Sequence, residues 1–142
     1  MSIAPAILAQ ALRNVIFERN SMCITSIIEL DVVINSVKES HTLQDIVDCV
    51  AKNVNEWTNT QVIWDMNAFN FTNVNQSDIR SLILQSMPFS KKRRGMKTGI
   101  FVSPDLGFGM MRMLQMLSDE QLETSIGVFR TKAQALEWAN EK

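Results

Sequence analysis

Val62, Ile63 and Trp64 form a short apolar run that ends on Asp65, and a carboxylate at the end of a strand sits at the edge where open α/β sheets bind ligands. Such a group can act as a general base or hold a polar ligand; it can equally close an Asx turn. Two residues on stands Asn67, and beyond it Phe69 and Phe71 alternate across Asn70, so that one ring can plug the core while the other walls a cleft. Ser103 and Phe108 follow the next long apolar run, at the same end of a neighbouring strand. Gly107 and Gly109 precede a helical segment in a pattern that resembles half of a phosphate-cradling turn, and are read as glycines that let the chain turn tightly under the helix. The third glycine of a dinucleotide fingerprint is replaced by Arg112, and no Lys-Ser/Thr pair follows. Arg112 itself suits either an anion or solvent.

No nucleophile, oxyanion motif or metal-ligand spacing accompanies Asp65, so no catalytic centre, metal or cofactor is expected. His41, the only histidine, reads as a helix-start residue. Lys91, Lys92, Arg93 and Arg94 form the one dense charge cluster. They are expected in a solvated loop, with contact to anionic lipid heads or an acidic partner as the functional alternative. With 14 Lys and Arg against 15 Asp and Glu, the chain lacks the cationic excess of a nucleic-acid binder. Cys23 and Cys49 are read as small apolar residues in a reducing compartment, which points to the cytoplasm. No apolar run approaches the roughly 20 residues of a membrane span, so membrane contact is at most peripheral.

The elements that must position these residues follow from periodicity. Cys23 to Leu30 and Val32 to Val37, separated at Asp31, predict an antiparallel hairpin. His41 or Thr42 then opens a helix with Leu43, Ile46, Val47, Val50, Val54 and Trp57 on one stripe. A strand ends at Asp65, and a second helix carries Ile79, Leu82 and Ile83 and ends before Pro88. Thr98 to Val102 and Ser125 to Phe129 are strands around a third, methionine-rich helix, and Thr131 caps a last helix with a small face of Ala135, Leu136 and Ala139. One α/β domain with a mixed sheet results: a β-hairpin and then βαβαβα, the later strands joined by right-handed crossovers. Residues 1–21 are expected to be an N-terminal extension, partly helical from about Pro5 to Leu12, and residues 22–142 the domain.

Four stretches, DVVINSVKESHTLQDIVDCV, VIWDMNAF, GMKTGIFVSPDLGFGMMRM and VFRTKAQALEWA, resemble the STAS and SpoIIAA-like superfamily, most closely its branch related to the lipid-exchange SEC14 fold. The resemblance implies a mixed sheet with helices mainly on one face and a non-enzymatic interaction or small-ligand-binding role. Lipid association is the alternative that it carries, and a hydrolase or transferase using Asp65 is a third reading. The phosphorylated Asp-Ser-Ser-Gly turn of the anti-sigma-factor antagonists has no counterpart here. After Asp65 the chain reads Met66, Asn67, Ala68, Phe69, with Ser77 the first serine and Gly95 the first glycine. Any pocket is then expected among Asp65, Asn67, Phe69, Phe71, Ser103 and Phe108, for a small apolar or anionic ligand or a protein partner. On the third helix Met110, Met113, Leu114 and Leu117 form the stripe for the sheet, leaving Met111 and Met116 on the flanks as the interface of a homodimer.

Overall fold

The computed structural model describes residues 24–141, so the expected N-terminal extension lies outside the described residues. Five strands, β1 (Thr25–Glu29), β2 (Val32–Ser36), β3 (Gln61–Asp65), β4 (Lys97–Phe101) and β5 (Ser125–Phe129), form one sheet. Four helices accompany them: α1 (Leu43–Asn53), α2 (Gln76–Lys92), α3 (Asp105–Ser118) and α4 (Lys132–Asn140). The strand order is β1-β2-β3-β4-β5, with β1 antiparallel to β2 and every later pair parallel. This is the expected α/β architecture with a mixed sheet.

The hairpin turn consists of Leu30 and Asp31, both in the left-handed region at φ 52° and 63°. Two such residues make the turn whose twist matches that of the flanking strands. Ser26 and Asn35, opposite each other in the register, bury a hydrogen bond from Ser26 Oγ to Asn35 Oδ1 that ties β1 to β2. α1 begins with a capping box: Thr42 Oγ1 accepts from Asp45 N, and Asp45 Oδ2 accepts from Thr42 N. Asn75 and Asp78 repeat the arrangement at the start of α2. Thr131 caps α4 by accepting from Gln134 N.

Side chains alternate across the sheet, and the helices divide unequally between its faces. Val33, Val62, Trp64, Ile100 and Val128 face α1, α2 and α3. Val32, Ile34, Ile63 and Phe101 face α4, which contributes Ala135 and Ala139. The small face of α4 brings it close, and Gly99 and Gly127, paired across β4 and β5, leave space for Trp138. Lys97 Nζ donates to the carbonyls of Trp138 and Glu141 at the end of that helix.

α2 continues through Pro88 to Lys92 and does not end before the proline. Pro88 lies on the exposed side, where the carbonyl left without its helical donor can meet water. Continuation keeps half-buried Phe89 and buried Ser90 on the sheet side.

Gly107 and Gly109 differ sharply in their surroundings. A Cβ on Gly107 would lie 2.6 Å from Val102 Cγ2 and 2.7 Å from Phe71 Cε2, both in the core, whereas one on Gly109 would meet nothing within 4 Å. Gly107→Ala is therefore expected to destabilise by about 1–3 kcal/mol through overpacking. Gly109→Ala should stabilise by about 0.5–1 kcal/mol through helix propensity. Urea midpoints of the two variants should move in opposite directions.

Candidate functional site

Five of the six residues expected to form a pocket form a latch and part of the core, whereas Phe108 lines an open groove with Val128, Phe129, Arg130 and Trp138. Asp65 Oδ1 accepts from Asn67 N at 3.0 Å in an Asx turn. Asn67 Oδ1 accepts from Ser103 N at 2.7 Å, which ties the loop after β3 to the loop after β4. Phe69 and Phe71 are both buried and stack edge to face with centroids 4.8 Å apart, so neither ring walls a cleft. Phe71 lies directly beneath Gly107. Phe108 is half-buried elsewhere, with the Arg130 guanidinium 4.0 Å above its ring. Arg130 also donates to Ser103 O and pairs with Asp105 at 2.6 Å.

A topological reason underlies this result. Ligand crevices at the carboxyl edge of open sheets form where strand order reverses, and from β1 to β5 the order never reverses.

The opposite half of the three-helix face contains a cavity of about 110 Å³. Val62, Trp64, Ile100 and Ile126 form its sheet side; α1 adds Ile46 and Val50, α2 adds Leu82, Ile83 and Ser86, and α3 adds Met111 and Leu114. One end is polar, made by Ser90, Arg93, Thr98 and Thr124. Ser90 Oγ accepts from the backbone N–H groups of Glu123 and Thr124, fastening α2 to the start of β5.

Arg93 departs most from expectation. Set among three exposed basic neighbours, it is 6% exposed, because it terminates α2 at the phase that faces the sheet. Its Nε donates to Trp57 O, Nη1 to Thr98 Oγ1, and Nη2 to Thr60 O and Lys97 O. These bonds join the end of α2 to the N-terminal ends of β3 and β4. No carboxylate pairs with Arg93 among the described residues. Burial pushes its guanidinium down to about 10, so it remains charged at neutral pH. The unfolded chain holds that proton more tightly, so this burial penalty is present below about pH 10 and is relieved above it. The missed signal was the helical phase of Ile79, Ile83, Ser86, Ser90 and Arg93, legible only when α2 is carried past Pro88.

The other candidates distribute simply. His41 is buried, and its Nδ1 accepts from Lys38 N at the start of α1. Arg112 is exposed and donates to Gln115. Cys49 is buried in the core, whereas Cys23 lies outside the described residues. Among the described residues, no three His, Cys, Asp or Glu gather in a group that could hold a metal ion, and no helix is long and apolar enough to cross a membrane.

Met111 is not a flank of α3: it is 2% exposed and lies on the buried stripe Gly107, Met111, Leu114, Ser118. Met116 is 70% exposed, so of the two expected interface residues only Met116 is open to a partner.

Comparison with protein-family models, curated proteins and solved structures finds no match to this chain.

Two sets of variants check this geometry. Arg93→Met should cost about 2–4 kcal/mol by leaving buried carbonyls without a donor, whereas Arg94→Met, which removes an exposed pair with Glu123, should stay within about 1 kcal/mol. Met111→Lys should unfold much of the population by placing a charge in the core. Met116→Lys should leave stability within about 0.5 kcal/mol. Chemical denaturation followed by circular dichroism measures all four.

Proposed function

We propose that this chain is a non-catalytic small-ligand-binding module of the SpoIIAA-like class, acting in the cytoplasm, whose ligand occupies the cavity between the sheet and α1, α2 and α3. The observation that carries this reading is the cavity itself. Protein interiors pack with few voids larger than a water molecule, and an apolar void costs about 24 cal/mol per Å³. The cavity of about 110 Å³ is partly open, so the cost of a fully dry void, on the order of 2–3 kcal/mol, is its upper bound. A compact apolar ligand removes that cost on binding. The sequential order of the parallel strands and the helices gathered on one face support the SpoIIAA-like class. Binding is favoured over catalysis because the Asp65 carboxylate is already engaged by Asn67 N in an Asx turn, and Asn67 in turn holds Ser103 N.

Size separates this reading from lipid exchange. A cavity of about 150 Å³ takes one benzene, so 110 Å³ suits a single small ring or a short branched chain and is too small for a diacyl lipid.

Methyl NMR of the protein titrated with benzene tests the proposal. Shifts should concentrate on Ile46, Leu82, Ile83, Ile100 and Leu114, with a rise in the thermal midpoint. Ser86→Phe, which fills the cavity from a half-buried position, should abolish both effects while preserving the circular dichroism spectrum. Unchanged methyl shifts in the wild-type protein at saturating benzene overturn the proposal.

A further inference from the structure

We infer that the cavity selects a compact apolar monoanion, a carboxylate attached to a single ring or short branched chain, with its apolar body against Ile83, Ile100 and Leu114 and its carboxylate on Arg93. This assignment rests on the cavity being the ligand site, and it specifies the chemistry of that ligand. Arg93 lines the cavity at its polar end and is 6% exposed. A guanidinium has five N–H donors, and four bonds account for Nε, both hydrogens of Nη2 and one of Nη1. One Nη1 hydrogen is therefore left without an acceptor among the described residues.

The charge is unmatched as well. All four acceptors are neutral: three main-chain carbonyls and the Thr98 hydroxyl. They satisfy hydrogen bonding without neutralising the cation, and a buried cation is costly unless paired. A carboxylate at the remaining N–H provides a charge-assisted hydrogen bond and removes the unpaired charge.

The α2 C-terminus opposes this with about half an elementary negative charge. The local excess of cations is larger. Lys91, Lys92, Arg93 and Arg94 are consecutive, and Glu123 pairs with only one of them, Arg94. The segment that carries Arg93 is consequently cationic in a chain whose net charge is -1. The other hydroxyls at this end do not compete for the guanidinium, since Ser90 and Thr124 lie within hydrogen-bond distance of each other and Ser90 accepts from backbone N–H groups.

Benzoate and benzamide share a shape and differ in charge, so their NMR titrations against the full chain at neutral pH isolate the anion. Benzoate should bind at least tenfold more tightly, perturb the cavity methyls and shift the Arg93 Nε–H resonance; benzamide should perturb the methyls alone. In Arg93→Gln the preference should vanish while benzene still binds. Should that variant fail to fold, the wild-type pair decides alone. Equal affinities for benzoate and benzamide, with benzene bound, overturn the anion assignment and leave the cavity as a ligand site. Benzoate shifts confined to the amides of Lys91, Lys92 and Arg94 also overturn it. No methyl response to benzene, benzamide or benzoate overturns the cavity reading itself.

Discussion

From β1 to β5 each strand adds to the same advancing edge of the sheet, and this constraint organises the rest of the molecule. Successive parallel crossovers of one hand, repeated in one direction, deliver α1, α2 and α3 to a single face. The opposite face is left to α4, which follows the last strand. One nine-residue helix covers its share of a sheet only at close range, hence Ala135 and Ala139 on the helix and Gly99 and Gly127 beneath Trp138. The three-helix face is crowded. On it α1 packs against α2, α2 against α3 and α3 against β5, and the cavity is lined by all three helices over β3 and β4. The same sequential order removes the edge crevice of folds whose strand order reverses, so the carboxyl ends of β3 and β4 are free to be latched by Asn67 and Ser103.

Among the charged groups, Arg93 has the greatest structural consequence. Arg94–Glu123, Arg130–Asp105 and Lys132–Glu29 involve side chains that remain accessible to water, where such pairs contribute about 0–1 kcal/mol. Arg93 instead donates to main-chain carbonyls of the segment before β3 and at the start of β4. Trp57 O and Thr60 O lie in the connection after α1, so one planar group gathers the ends of three elements. The rigid fork of a guanidinium suits this task better than the single point charge of a lysine.

Much of the sheet was legible in the sequence because parallel strands buried on both faces read as short apolar runs. Val62 to Trp64 became β3 with one residue added at each end, and Ser125 to Phe129 coincides with β5. Thr42 and Thr131 act as caps, as hydroxyl residues ahead of amphipathic runs should. The helix faces were harder to read. α3 is apolar around most of its circumference, so periodicity could not identify the arc that meets the sheet. Its line of closest approach contains Gly107 and Ser118, small residues that a search for the largest hydrophobes passes over, and Met111 lies between them. Asp65, Asn67 and Ser103 lie together at the ends of β3 and β4, but the relay from Ser103 N to Asn67 and from Asn67 N to Asp65 depends on loop geometry that spacing does not encode.

The basic run 91–94 shows how helical phase can outweigh composition. Four consecutive cations read as a solvated turn when the helix is stopped at Pro88. Continued through the proline, the inward series Ile79, Ile83, half-buried Ser86 and Ser90 advances by four, three and four residues, and the next step of three reaches Arg93. Lys91, Lys92 and Arg94 fall off that line and remain exposed. Arg93 is therefore carried inward by the phase of its helix, without an acidic residue to draw it there. A cation buried for an ion pair has its charge consumed by its partner. One buried by helical phase and held by carbonyls keeps its charge, and here that charge borders an apolar cavity.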